Sequence, residues 1–266
     1  MVDFYSRLER FVTVDSTQRV VREWLDAGTP EVAVAVAAHQ SAGRGRQGRS
    51  WVAPPGAALL LSVGFRPADL AAGHGWRLAA TVSLAMLDAA EEAAGLRDDT
   101  LWLKWPNDIV ADAQDGRLVK VCGVLGEAVG DGRRVESAVV GIGVNSDWPA
   151  ELFPDALEPA MSSLRELAGG RPVDNEQLLD AFLARLEPRY EALGSGTFDA
   201  GGWSRRQRTT GRQVELDIGG RQLTGTAAGV DPETGALIVE RDGEVQRIDS
   251  GEVVRCRLVA DRRHLV

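Results

Sequence analysis

The sequence predicts an α+β fold in two parts, a mixed β-sheet with flanking helices followed by a small all-β unit. Three observations carry that reading. Apolar runs of strand length alternate with segments of helical period over most of the chain. Short strand-like runs then follow one another, with turn residues at roughly 8–12-residue intervals, as in small barrels and sandwiches. The composition, 44% hydrophobic and 26% charged over 266 residues, is enough for a full core and one or two domains.

Taken in order, Ser16 and Thr17 are placed to cap a helix running to about Asp26, with Val20, Val21, Trp24 and Leu25 on one face. The apolar runs Val32 to His39 and Ala58 to Phe65 read as strands. Gly75 to Ala94 has helical period, with Leu78, Val82, Ala85, Met86 and Ala89 as its stripe. LWLKWPNDIV (101–110) reads as a strand entering a turn at Pro106-Asn107-Asp108. Trp102 and Trp105 alternate around Leu103 and Lys104, so at least one belongs to a core. Residues 118–129 and 135–146 pair as strands across Gly130-Asp131-Gly132-Arg133. A proline-bearing loop covers 147–160, and helices fit 162–169 and 174–194. From a boundary near Thr210, the runs RQVELDIGG, RQLTGTAAGVD, ALIVERDG and EVQRIDSGEVVRCR are short strands.

Acids outnumber bases by 39 to 30, for a net charge of -9. That disfavours non-specific binding to nucleic acid or to an anionic membrane, and it makes a local cluster of bases conspicuous. No apolar run is long enough to span a bilayer, and the amino-terminal MVDFYSRLER has no signal-peptide core. Cys122 and Cys256 lie far apart in apparent strands, so the expectation is a cytoplasmic protein with reduced thiols. The two cysteines and three histidines have no metal-ligand spacing.

The conspicuous bases lie in SAGRGRQGRSW (41–51), where Gly43, Gly45 and Gly48 make a G-x-G-x-x-G. A dinucleotide fold would need a helix after that loop. Here Pro54-Pro55-Gly56 and another strand follow, and no acid intervenes before Asp69. The P-loop ending is also missing. What remains is a loop whose backbone N–H groups can approach an anion, with Arg44, Arg46 and Arg49 as forked donors and Trp51 as a flat surface for a base. In KWPNDI (104–109), Lys104 can hold a phosphate, and Asp108 can hold Mg²⁺ or orient an attacking amine. Lys120 sits on a mostly apolar strand and needs an anionic partner. GIGVNS (141–146) ends in Asn145, which has both donors and acceptors. Each stretch also has a plain reading: a solvated loop, a good turn sequence, an edge-strand lysine that deters aggregation, and for Cys122 a small core residue.

Together, DST (15–17), QSAGRGRQGRSW (40–51), KWPNDI (104–109), KVCGVLGE (120–127) and GIGVN (141–145) resemble the successive motifs of the biotin protein ligases. The stretch GVDPETGAL (229–237) is similar to that family's carboxy-terminal barrel. The resemblance implies a class II synthetase-like mixed sheet over residues 1–210, binding biotin and ATP, and an SH3-like β-barrel over 211–266. It implies that biotin and MgATP give biotinyl-5′-AMP and pyrophosphate. Biotin then passes to one lysine of a carboxyl carrier domain. Ser16, Thr17, Gln40, Gly43, Arg44, Arg46, Lys120 and Gly123 carry over to biotin. Arg46, Arg49, Trp51, Lys104, Asn107 and Asn145 carry over to ATP and the adenylate. Lys120, Arg44, Lys104 and Asp108 are implied as catalytic, with Asp108 also a Mg²⁺ ligand. A monomer or weak homodimer, with no DNA or membrane partner, is expected.

The sequence departs from the family pattern at Gln47, where many members carry a base. The carboxy-terminal arginine role falls to Arg255 or Arg257, with the choice open. The first motif begins at Asp15, which leaves no room for an amino-terminal helix-turn-helix. That and the acidic charge argue against a biotin-sensing DNA-binding repressor. Lipoate or octanoate ligases are the other alternative, and GRGRQGR followed by KWPND favours biotin.

Overall fold

The computed structural model describes residues 4–157, 160–249 and 251–258, without the side chains of Glu252, Arg255, Arg257 and Leu258. The strand β1 (Arg7–Phe11) pairs in parallel with β2 (Ala33–Ala37), which pairs antiparallel with β3 (Ala58–Phe65). Both β2 and β3 are buried along their whole length, as their continuous apolar runs require of strands covered on both faces. β4 (Leu101–Lys104), β5 (Asp108–Asp112), β6 (Leu118–Gly130) and β7 (Val135–Asn145) complete a seven-stranded mixed sheet in the order β1-β2-β3-β7-β6-β5-β4. The β6–β7 turn is held by Asp131, whose carboxylate accepts the Arg133 and Arg134 N–H groups, and Gly132 takes φ +83° there.

Helix α1 (Thr17–Asp26) packs on β2, β3 and β7 through Val20, Val21 and Leu25. Ser16 is its N-cap, but the side chain makes no capping bond, contrary to the expectation. The Thr17 hydroxyl, on the first helical residue, points into the protein toward Gln40 and Ser62. α2 (Trp76–Ala93) and α4 (Asn175–Gly194) pack on one another, and both supply the main core. Asp174 caps α4 by accepting the Glu176 and Gln177 N–H groups. The helix expected over 162–169 is shorter. Only α3 (Leu164–Leu167) forms, capped by the Ser163 hydroxyl, because Gly169 and Gly170 adopt left-handed backbone.

The expected strand over 101–110 is two strands. Trp105, Pro106 and Asn107 form the turn, and Asp108 already pairs with Lys104 across the β4–β5 hairpin. β1 and the short helix α5 (Ala200–Arg205) had no counterpart in the sequence reading.

β8 (Arg212–Ile218), β9 (Arg221–Val230), β10 (Leu237–Arg241), β11 (Glu244–Ile248) and β12 (Glu252–Leu258) form a second, antiparallel sheet in the order β11-β10-β9-β8-β12. Among the described residues β11 and β12 are the two ends of this sheet, and no strand pairing joins them. Its core, with Val214, Leu216, Leu223, Leu237 and Val239, also takes in Trp105 from the β4–β5 turn.

Candidate active site

The first-turn polar residues of α1, the Gly-Arg loop and the β3, β5, β6 and β7 strands meet around one cavity of about 440 Å³. Its floor is glycine. A Cβ on Gly143 of β7 would lie 2.5 Å from Trp51 Cε2, and one on Gly123 of β6 would lie 2.9 Å from Trp51 Cζ3 and 3.0 Å from Lys120 Nζ. Only a bare backbone lets the Trp51 indole and the Lys120 stem lie this close to the sheet.

One wall is polar, with Ser16, Thr17, Gln18 and Ser62 buried and Gln40 half-buried. Gln40 Oε1 accepts the Thr17 N–H at 2.7 Å and the Thr17 hydroxyl at 3.0 Å. Thr17 Oγ1 also lies 2.8 Å from Ser62 Oγ, and Gln18 Nε2 donates to the Leu125 carbonyl. Asp15 accepts the Ser16 N–H and pairs with Arg19, and that guanidinium holds Asp15 below the usual carboxylate range. Ser16, Thr17, Gln18, Gln40 and Ser62 line the cavity as a hydrogen-bonding recess suited to a small polar ring.

The Gly-Arg loop folds back on itself over the opening. Trp51 N–H donates to the Gly43 carbonyl at 2.9 Å, Gly45 N–H to Arg49 at 2.7 Å, and Arg49 N–H to Arg46 at 3.2 Å. Gly43 is buried beneath the loop, where any Cβ would collide with the Trp51 carbonyl. Gln47 takes φ +55° at the exposed loop tip, followed by Gly48 at +73°.

Charge gathers at the cavity's other end. Lys120 Nζ lies 2.6 Å from Asp108 Oδ1, and Lys104 Nζ lies 3.8 Å from Asp108 Oδ2. Asp108 is therefore the anionic partner that Lys120 requires. The edge-strand reading of Lys120 is overturned, because β6 runs between β5 and β7 inside the sheet. Lys120 Nζ also stands 5.4 Å from the Trp51 ring centroid. Lys104 donates to the Val253 carbonyl of β12 at 3.0 Å. Asn107 Nδ2 donates to Val124 O at 2.8 Å, while Asn107 Oδ1 accepts Arg46 Nη1 at 3.4 Å, which links the loop to the β4–β5 turn. Arg44 lies 3.9 Å from Glu127 in an exposed pair that adds little stability. Asn145 is buried at the far end of β7 and donates to Ser162 O at 3.0 Å.

Except for Gly43, which underlies the loop, every residue that the resemblance carries over to biotin, ATP or catalysis lines this cavity. The side chains of Arg255 and Arg257 lie outside the described residues, so the choice between them stays open. Sequence reasoning missed Ser62 and Gln18. A lone hydroxyl inside ALLLSVGF was the available signal for the first. For the second, a glutamine in a first helical turn gave none. Among the described residues no three His, Cys, Asp or Glu side chains cluster as a metal site. Cys122 is buried beside the site, which pushes its thiol up, out of the nucleophilic range.

Comparison with known proteins shows the family. Residues 11–145 match the model of the biotin/lipoate A/B protein ligase family, and residues 209–255 match the biotin protein ligase C terminal domain. The biotin–[acetyl-CoA-carboxylase] ligase of Mycobacterium tuberculosis is 32% identical over 228 residues, 84% of this chain and 79% of that protein. The bifunctional ligase/repressor BirA of Bacillus spizizenii is 30% identical over 248 residues, 90% of this chain and 71% of that one. The solved structure of an Aquifex aeolicus biotin protein ligase in complex with biotin and ATP superposes with a TM-score of 0.76 at 26% identity, covering 94% of this chain and all of that one. The chain belongs to the biotin/lipoate A/B protein ligase family.

Proposed function

We propose that this protein is an ATP-dependent biotin protein ligase that forms biotinyl-5′-AMP and transfers biotin to a lysine of a carboxyl carrier domain. One observation carries the reading: a hydrogen-bonding recess and a cluster of cations open into the same glycine-floored cavity. Ser16, Thr17 and Gln40 suit a ureido ring, and the glycines suit a flat ring system lying on the sheet. Lys120 and the loop arginines then receive the carboxylate and the α-phosphate, cancelling the repulsion between two anions that must approach. Trp51 and Asn145 border the space for adenine. Asp108 orients the incoming amine, and Lys104 takes phosphate charge. Asp108 would be the protein ligand of a Mg²⁺ bound with ATP, which would offset phosphate charge there. The division assigned is residues 1–210 as the catalytic unit and 211–266 as the carboxy-terminal unit. The homologues named for acetyl-CoA carboxylase point to a biotin carboxyl carrier domain as acceptor. No helix of the described residues is long and apolar enough to cross a membrane.

The test is biotin-dependent exchange of pyrophosphate into ATP, followed by mass spectrometry of carrier domains incubated with biotin and MgATP. Exchange and a single biotinyl adduct are expected. Better exchange with lipoate than with biotin would overturn the substrate assignment.

A further inference from the structure

The turn that carries Lys104 and Asp108 is fastened from outside the catalytic sheet. Trp105 is 3% exposed and sits in the core of the second sheet, against residues such as Val214, Leu216 and Val253. Its indole N–H donates to the Gly235 carbonyl at 2.9 Å. Its backbone N–H donates to Thr209 Oγ1 at 2.9 Å, and Thr209 is fully buried. The segment leading into the second sheet also covers the free edge of β4. Leu103 N–H donates to Arg206 O, and Arg208 N–H donates to Leu103 O, both at 2.8 Å. Lys104 meets the Val253 carbonyl of the same sheet at 3.0 Å. None of these fastenings touches the polar recess formed by Ser16, Thr17, Gln40 and Ser62.

We propose that Thr209 and Trp105 are positioning residues, through which the carboxy-terminal sheet sets Lys104 and Asp108 against Lys120. On the inner side Asn107 bonds Val124 and Arg46, and Asp108 meets Lys120, but both N–H groups of Trp105 are bonded on the outer side, to Thr209 and Gly235. Without the outer anchors Trp105 loses both of its N–H partners. The turn is then free to shift by the ångström or so that matters for charge placement. The inference rests on the ligase reading and concerns its ATP-dependent step, not biotin recognition.

Thr209→Val keeps the shape but leaves a buried N–H without an acceptor, Thr209→Ser restores the hydroxyl, and Trp105→Phe removes the indole bond together with part of the buried ring. In the full-length protein, Thr209→Val and Trp105→Phe should lower kcat/KM for ATP in pyrophosphate exchange roughly 10- to 100-fold. Biotin affinity by calorimetry should stay within about twofold, and Thr209→Ser should approach wild type, because each change leaves the recess untouched. Wild-type exchange in both impaired variants, or a parallel loss of biotin affinity, overturns the positioning role. If Thr209→Val does not fold, Trp105→Phe decides alone. Absence of biotin-dependent exchange in the unmodified protein refutes the ligase reading itself, and this inference with it.

Discussion

Replacing Lys120 with methionine removes one charge and keeps most of the apolar stem. In the folded protein the ammonium is 2.6 Å from Asp108 Oδ1, on a side chain that is 35% exposed. Two unit charges 4 Å apart interact by ~4 kcal/mol at an effective dielectric of ~20. Solvent reaching a third of the side chain lowers that. A working figure for the lost contact with a bound carboxylate or a developing phosphate charge is therefore ~2–4 kcal/mol, or roughly 30- to 1000-fold in rate. Folding should suffer less, because Asp108 keeps Lys104 at 3.8 Å and β6 keeps both neighbouring strands. Single-turnover adenylate formation with biotin and MgATP reads the first quantity, and thermal unfolding reads the second. A well-folded Lys120→Met variant with near-normal kcat/KM would refute the placement of Lys120 against the reacting groups. Lys120 would then be a structural counter-ion of Asp108 and nothing more.

The Gly-Arg loop should order on ligand binding. Three arginines repel one another across an exposed, glycine-rich segment, and fixing such a backbone costs about 1–2 kcal/mol per residue. Hydrogen exchange should show the Gly45, Arg49 and Trp51 amides weakly protected in the free protein and strongly protected with biotin, whereas equal protection in both states would mean a rigid cradle. Gly143→Ala should weaken biotin binding by roughly 5- to 150-fold, because overpacking of this kind costs ~1–3 kcal/mol and the added Cβ would sit 2.5 Å from Trp51 Cε2. Calorimetry checks it, and wild-type affinity would show that the indole lifts away without consequence.

Much of this was legible because its signals are local. β2, β3, β6 and β7 announce themselves as apolar runs, and α2 and α4 by their period. What escaped depends on tertiary partners. β1 reads RLERF, three charges in five residues, and is a strand only because β2 offers it a free edge. α5 contains two glycines and forms because Asp199 caps it and Trp203 is buried in the main core. The expected cap at Ser16 failed for a similar reason. Cap preference is a local rule, and the residue beside it, Thr17, turns its hydroxyl toward the cavity wall. Nor could the sequence say which of Trp102 and Trp105 is core. Trp105 is, and the core it joins belongs to the other sheet.

The site's motifs are scattered over more than a hundred residues, and the strand order explains why they converge. β3, β7, β6 and β5 are consecutive neighbours in space, so the loop before β3, the end of β7, the lysine of β6 and the turn before β5 open at one end of one surface. The residues between these motifs cross behind the sheet as α2 or run out along the β6–β7 hairpin. Antiparallel pairing aligns Gly123 with Gly143, so two glycines from distant motifs make a single bare patch. Shifting the β6–β7 register by one residue would turn the alternating side chains to opposite faces and put Ile142 or Val144 where Trp51 lies. The register is held instead by Val124, Ile142 and Val144 packing into the main core on the other face. Core packing and site geometry are thus two faces of the same strand pairing, and the apolar residues between the glycines are as necessary to the cavity as the lysine that lines it.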